Sequence, residues 1–191
     1  MAILILGLVL FLGVHSTRIV ADGWRSATVA RIGEMPWKGI FSVLSIAGFV
    51  LIIWGYGLAR QQPVVLWTPP RGMNHLASLL TLIAFVLLTA AYVPGNQIKS
   101  KLHHPMVLGV KTWAFAHLIA NGTLADLLLF GSFLAWAIVD FVSARRRDRA
   151  TGKVYIAGHA SRTAVAVLVG LVAWAVFAFM LHGPLIGVRP V

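Results

Sequence analysis

The stretch AILILGLVLFLGVHSTRIVA, residues 2–21, decides how the rest of the chain is interpreted. From Ala2 to Val14 it contains no ionisable side chain, and its total length matches the ~20 mostly apolar residues that a helix needs to cross a bilayer. His15 and Arg18 nevertheless occur before the stretch ends. The pattern predicts a membrane-spanning helix that carries an imidazole inside the bilayer. A polar side chain at that depth is costly and requires an explanation.

The composition of the whole chain supports a membrane protein. Of its 191 residues 59% are hydrophobic and only 11% are charged, whereas soluble domains are about one quarter charged. The net charge of +11 does not indicate a nucleic-acid partner, because the basic residues lie mostly in short polar gaps between apolar runs. That pattern favours membrane topology and contact with anionic lipids.

The chain has no cysteine. Disulfides, cysteine-ligated zinc, iron–sulfur clusters and a thiolate nucleophile are therefore excluded. The first apolar run also lacks a basic n-region and an A-x-A cleavage site, so we expect a retained first helix and not a cleaved signal peptide.

Apolar periodicity and length predict an all-α, polytopic transmembrane bundle of about six spans, which forms a single domain over residues 1–191. The fourth span is the shortest and contains Lys111, which leaves open whether it crosses the bilayer completely. The predicted spans are residues 2–21, 37–59, 73–93, 105–120, 124–142 and 163–182.

The distribution of basic residues predicts the orientation. The first, third and fifth gaps are the most basic, so we expect them in the cytoplasm and both termini on the opposite side. If the fourth segment is not a full span, the C-terminus changes sides. The odd gaps contain Arg25, Arg31, Lys38, Lys99, Lys101, Arg145, Arg146, Arg147, Arg149, Lys153 and Arg162, whereas the second gap and the tail contain Arg60, Arg71 and Arg189.

Two histidines fall within the predicted hydrocarbon zone. At 1.5 Å per residue, His15 lies ~9 Å from the cytoplasmic end of the first span, and His117 lies ~18 Å into the fourth. Ionisable side chains at such depth are usually functional, although a neutral histidine can also serve as a hydrogen-bonded packing residue. Two imidazoles at mid-membrane suit the axial ligands of a haem iron. The five acidic residues lie away from the span centres, which disfavours a carboxylate-rich metal site.

Two cations could accompany such a haem. Arg18 lies one helical turn from His15, and Lys111 lies in the cytoplasmic half of the fourth span. Either could contact a haem propionate, and the alternative for Lys111 is that it snorkels to the lipid headgroups. His104 and Asn121 are expected to support the site or the helix ends.

Three motifs together resemble the NnrU-domain family across essentially the whole chain. They are GVHSTR (13–18), HHPMVLGVKTWAFAHLIANG (103–122) and LLLFGSFLAWAIVD (127–140). The resemblance implies a small polytopic protein of the bacterial inner membrane that is linked to denitrification, in particular to nitrite and nitric oxide reduction. Respiratory or nitric oxide reductase components are then possible partners, and a small hydrophobic or gaseous molecule is a possible substrate.

The plant ζ-carotene cis–trans isomerase contains a related domain and binds haem b. Its haem-binding histidines, in an HS motif and a W-C-x-A-H segment, correspond by resemblance to His15 and to His117 within WAFAH (113–117). The cysteine of that segment corresponds to Ala114 here, so a switch to a sulfur ligand is impossible. The resemblance therefore implies haem b binding, with redox or isomerase-like chemistry as possible activities.

Two other functions compete with haem binding. HHPMVLG (103–109) resembles the R-H-P-x-x-x-G motif of integral-membrane methyltransferases that use S-adenosylmethionine, with His103 in place of the arginine. The simpler explanation of His104–Pro105 is that proline at the first helical turn sets the start of the fourth span. A non-enzymatic subunit or assembly factor of a respiratory complex is the third possibility, because small residues in GSFLAWA and FSVLSIAG allow close helix contacts.

Overall fold

The computed structural model of the chain describes residues 1–188 and 190, so Arg189 lies outside the described residues. The described part is all-α, as predicted, and contains no β-strand, only isolated bridges. The helices are α1 Ala2–Val20, α2 Asp22–Ile32, α3 Glu34–Ala59, α4 Met73–Tyr92, α5 Gln97–Leu102, α6 Pro105–Ala120, α7 Leu124–Ala150, α8 Ala160–Ala175, a π-helical turn Val176–Leu181 and α9 His182–Ile186.

Five helical segments are apolar and long enough to cross a membrane: α1, α3, α4, α7 and the continuous segment Ala160–Ile186. The chain is therefore a multi-pass membrane protein. The predicted fourth span corresponds to α6, whose 16 residues give a length of ~24 Å, less than the ~30 Å of a typical hydrocarbon core. The predicted fifth span, residues 124–142, lies within α7, which continues to Ala150 through the arginine-rich turns.

Contacts between loops show that α6 still runs from one end of the bundle to the other. At one end, called the Gly122 end, the main-chain N–H groups of Leu66 and Trp67 donate to the carbonyl of Gly122 at 2.8 and 3.1 Å. At the opposite end, called the Arg145 end, His104 at the start of α6 contacts Asp148 near the end of α7. Six helical segments thus connect the two ends, which agrees with the predicted number of spans.

The chain termini follow the predicted arrangement. Arg60, at the end of α3, donates to the carbonyl of Ile186 at 2.6 Å, which places α9 at the Gly122 end. Arg147 donates to the carbonyl of Arg18 at 3.2 Å, which places the end of α1 at the Arg145 end. The three basic gaps therefore share one end of the molecule, and both termini approach the other.

Helix packing follows a row of neighbours in which α1 lies between α3 and α7, and α6 lies between α7 and α4, with α8 beyond α4. Within the described residues α1 and α6 do not approach each other directly. The backbones of α1 and α3 approach closely at Gly7 and at Gly55, and a Cβ on Gly7 would lie 2.6 Å from the main-chain nitrogen of Ile52. Glycine at this position allows the two backbones to meet.

The best-packed part of the interior joins α1, α3 and α7 through Leu4, Leu8, Ile52, Leu129 and Phe130. The outer faces of the helices are covered with exposed aliphatic side chains, which indicates contact with lipid. Two short helices, α2 and α5, were not anticipated, because they lie in polar gaps and lack a long apolar run.

Candidate functional site

His15 lies in the last third of α1 among aromatic rings. Its ring stacks on Phe11 at 4.2 Å between centroids and meets the rings of Phe41 and Trp136 edge-on at 5.0 and 6.1 Å. Its Nδ1 lies 2.7 Å from the carbonyl oxygen of Phe11, one helical turn earlier. Because a carbonyl can only accept, Nδ1 carries the proton, and a neutral ring then presents the lone pair of Nε2.

His117 repeats this arrangement on α6. Its Nδ1 lies 2.9 Å from the carbonyl oxygen of Trp113, again one turn earlier, and its ring stacks on Phe130 at 4.6 Å. The Asn121 side chain donates to the main-chain carbonyl of His117 at 2.9 Å, so the predicted supporting role of Asn121 is to close the end of α6 behind the histidine. Ligand histidines in metalloproteins are commonly oriented by such an Nδ1–H bond to a carbonyl.

The two imidazoles are not in ring contact with each other. A series of aromatic rings in contact connects them instead. His15 stacks on Phe11, and the ring centroid of Phe11 lies 5.7 Å from that of Phe133. The centroid of Trp113 lies 5.6 Å from that of Phe133 and 5.1 Å from that of His117. Both α1 and α6 pack against α7, where the ring of His15 contacts Trp136 and the ring of His117 contacts Phe130. These α7 positions are six residues apart, or ~9 Å along the helix, so one iron could bind both imidazoles only after they approach each other.

A buried donor without an acceptor lies next to His15. The Nε1 of Trp136 is inaccessible and has no hydrogen-bond partner among the described residues. Its ring stands perpendicular to that of His15. Because an unpaired N–H in an apolar interior is costly, this donor would be stabilised by an acceptor beside His15.

The residues present fit a haem in their donor chemistry. Each histidine holds its proton on Nδ1 and leaves Nε2 for an iron atom, and the surrounding rings are apolar. Over residues 1–188 and 190 no group of three or more histidine, aspartate or glutamate side chains could hold a free metal ion. A haem needs at most two protein ligands, since the porphyrin supplies the other four.

Arg18 lies at the Arg145 end of α1 and pairs with Asp22 at 3.7 Å, with 59% of its side chain exposed. A second arginine, which the sequence identifies only as one of the basic residues of the fifth gap, lies next to Arg18. Arg147 contacts the Arg18 carbonyl, donates to Ser143 at 2.7 Å and pairs with Asp140 at 3.8 Å. Only the side-by-side packing of α1 and α7, which run in the same direction, could identify this neighbour of the His15 turn.

Lys111 lies in a different region. On α6 it is separated from His117 by about 120° around the helix axis, at 100° per residue. It lines an open groove of about 310 Å³ with Leu80 of α4 and Leu134 of α7, and its ammonium lies 5.2 Å from the ring centroid of Phe141. The structure therefore does not bring Lys111 together with the His117 ring.

His104 belongs to a polar cluster at the Arg145 end. Its Nε2 lies 2.7 Å from Oδ2 of Asp148, which also accepts a 2.8 Å hydrogen bond from the Tyr155 hydroxyl. Burial and this hydrogen bond raise the pKa of Tyr155 above its usual value. His103 stacks on Tyr155 at 4.0 Å and accepts a hydrogen bond from Arg145. His104 precedes α6 and lies thirteen residues, or ~20 Å, before His117. Because of this distance, the contacts of His104 join the ends of helices.

The sequence predicted the local contact between Thr123 and Asp126 near the Gly122 end but not the contact of Asp126 with another helix. Thr123 and Asp126 form a capping box at the start of α7, which confirms their predicted structural role. The buried carboxylate of Asp126 also accepts a 2.6 Å hydrogen bond from the hydroxyl of Tyr56 on α3. No sequence spacing indicates this contact, because the two residues are brought together only by helix packing.

Comparison with known proteins gives one result. None of the curated proteins and none of the solved structures compared with this chain matches it. The family model described as NnrU protein matches residues 3–190, nearly the whole chain, and the resemblance carried by the three sequence motifs is thereby confirmed. The chain is an integral membrane protein that belongs to the NnrU family.

Proposed function

We propose that this protein binds haem b in the membrane, with His15 and His117 as the iron ligands, and serves nitrite or nitric oxide metabolism in the bacterial inner membrane. The observation that carries the proposal is the matched state of the two histidines. Both hold Nδ1 against the carbonyl of the preceding turn, and in both the Nε2 has no hydrogen-bond partner among the described residues and lies in an apolar, aromatic setting.

The chain's own residues would have distinct tasks. Phe11 and Trp113 supply the carbonyls that fix the protonated nitrogen of each imidazole. The Nε1 of Trp136 is a donor for a ligand oxygen beside His15. Arg18 and Arg147, at the same end of the bundle, supply positive charge for propionates. Bound haem would supply one-electron transfer or binding of a small gas, and family membership supports nitrite and nitric oxide as the relevant chemistry.

The direct test is an absorption spectrum of the detergent-purified protein, oxidised and then reduced with dithionite. A Soret band with sharp reduced α and β bands is expected for a low-spin, bis-histidine haem. Replacement of His15 or His117 by Ala should abolish the sharp bands. His75→Ala, which removes a histidine from the first turn of α4 at the Gly122 end, is the matched control and should leave them unchanged.

Other spectra would decide between the alternatives. A Soret band without sharp reduced bands would show an open coordination position and limit the iron ligands to one histidine. No visible absorption, even after addition of hemin to a folded sample, would contradict the proposal. In that case calorimetry with S-adenosylmethionine would test the methyltransferase alternative, and co-purification with respiratory components would test the subunit alternative.

A further inference from the structure

The groove around Lys111 has no role in the proposed haem site. It lies between α4, α6 and α7, is open on its lipid side, and encloses about 310 Å³. That volume is at the lower end of the range for small-molecule sites, about 300–1,000 Å³. Its lining is Leu80, Lys111, Thr112, Phe115 and Leu134.

Lys111 is the feature that distinguishes this groove from ordinary lipid-facing surface. Among the described residues no carboxylate lies within 4.0 Å of its ammonium, which lies over the face of the Phe141 ring. The hydroxyl of Thr112 donates to the carbonyl of Leu108 at 2.9 Å, and among the described residues no hydrogen bond joins it to Lys111. A cation in an apolar groove without a counter-ion calls for an anionic partner.

The positions along α6 indicate how such a partner would lie. Lys111 is six residues, or ~9 Å, past the start of α6 at Pro105, and Phe115 lies one further turn toward the Gly122 end. An anionic head at Lys111 would therefore have its chain beside Phe115 and Leu80. The head would lie inside the hydrocarbon zone, below the level of the phospholipid headgroups.

We propose that this groove binds a long-chain carboxylate, with the carboxylate paired to Lys111 and the alkyl chain against Phe115, Leu80 and Leu134. A carboxylate is joined directly to its chain and can enter to the depth of Lys111. The phosphodiester head of a phospholipid is bulkier and carries a glycerol unit that belongs in the interfacial region. The site is independent of the haem proposal.

The test uses the purified full-length protein and a photoreactive palmitate that carries a diazirine in its chain. Illumination followed by peptide mapping should locate the label on α4, α6 or α7 around the groove. Unlabelled palmitate should compete, whereas its methyl ester should compete about tenfold less well, since a hydrogen bond between charged groups contributes about 1.5–3 kcal/mol and 1.4 kcal/mol is tenfold in affinity. Phosphatidylglycerol should also compete less well, because its bulkier head does not reach the depth of Lys111.

Variants separate the charge from the fold. Lys111→Met keeps a long side chain and should lose labelling about tenfold, whereas Lys111→Arg should retain most of it. Lys101→Met removes the same charge from α5, outside the groove, and should label like the unchanged protein. Equal labelling of Lys111→Met, equal competition by the methyl ester, or equal competition by phosphatidylglycerol would each overturn the proposal.

Discussion

Asp148 accepts a 2.7 Å hydrogen bond from Nε2 of His104 and so joins the end of α7 to the start of α6. The same carboxylate holds Tyr155, in the segment that leads to α8, at 2.8 Å. Its side chain is only 14% exposed. One carboxylate therefore connects three parts of the Arg145 end.

Asp148→Ala should loosen the segment after α7. The change leaves His104 and the Tyr155 hydroxyl without their acceptor, which costs about 1–3 kcal/mol for a partly buried group and permits about tenfold faster local opening. The measurement is tryptic cleavage at Lys153 in inside-out membrane vesicles. Glu34→Ala removes an exposed carboxylate that pairs with Lys38 and should have little effect. Cleavage only in right-side-out vesicles would show that the predicted orientation is inverted.

Tyr155 should give this cluster an alkaline pH dependence. Its pKa is raised in the folded protein, so the unfolded chain loses the phenolic proton first as the pH rises past about 10. The associated stability is complete below that pH and is lost above it. Alkaline difference absorbance of the protein against its Tyr155→Phe variant measures the titration. Asp148→Asn should move the Tyr155 titration to lower pH, and no movement would contradict the assigned cause.

Gly55→Ala should destabilise the contact between α1 and α3. A Cβ at position 55 would collide with the backbone of Ile3 and Leu4, and overpacking of this kind costs about 1–3 kcal/mol. Gly57→Ala is the matched control on the same helix, since nothing lies within 4 Å of its added Cβ. Unfolding in SDS should show lower stability for the first variant only. Equal stability of the two would mean that α1 and α3 are farther apart than described.

Trp136→Phe tests whether the unpaired indole donor serves a ligand at His15. If Nε1 donates to bound haem, its removal should speed haem transfer to an acceptor apoprotein about fivefold, the equivalent of about 1 kcal/mol. Trp174→Phe is the control, because that indole already donates to Thr81 at 3.2 Å on the far side of the bundle. Unchanged haem loss in Trp136→Phe would remove Trp136 from the site and leave the histidine ligands to be tested separately.

Local sequence signals predicted much of the secondary structure and one end of the site. Proline at the first turn of α6 and the Thr123–Asp126 capping box at the start of α7 were both confirmed. Apolar length predicted the spans well, because a bilayer requires continuous apolar runs. Apolar length gave no signal for helix outside the hydrocarbon, which occurs at the end of α7, where helix continues through arginines, and in the polar helices α2 and α5.

The sequence alone determined that the chain spans the membrane several times, that it lacks cysteine ligands, and that His15 and His117 lie within apolar helices, since each depends on composition and on position along one helix. Only the tertiary structure decided which helices are neighbours. It placed α7 between α1 and α6, put Lys111 in a separate groove, and brought Arg147 to Arg18 and Tyr56 to Asp126. These relationships arise because side chains distant in sequence meet through packing, which local periodicity does not encode.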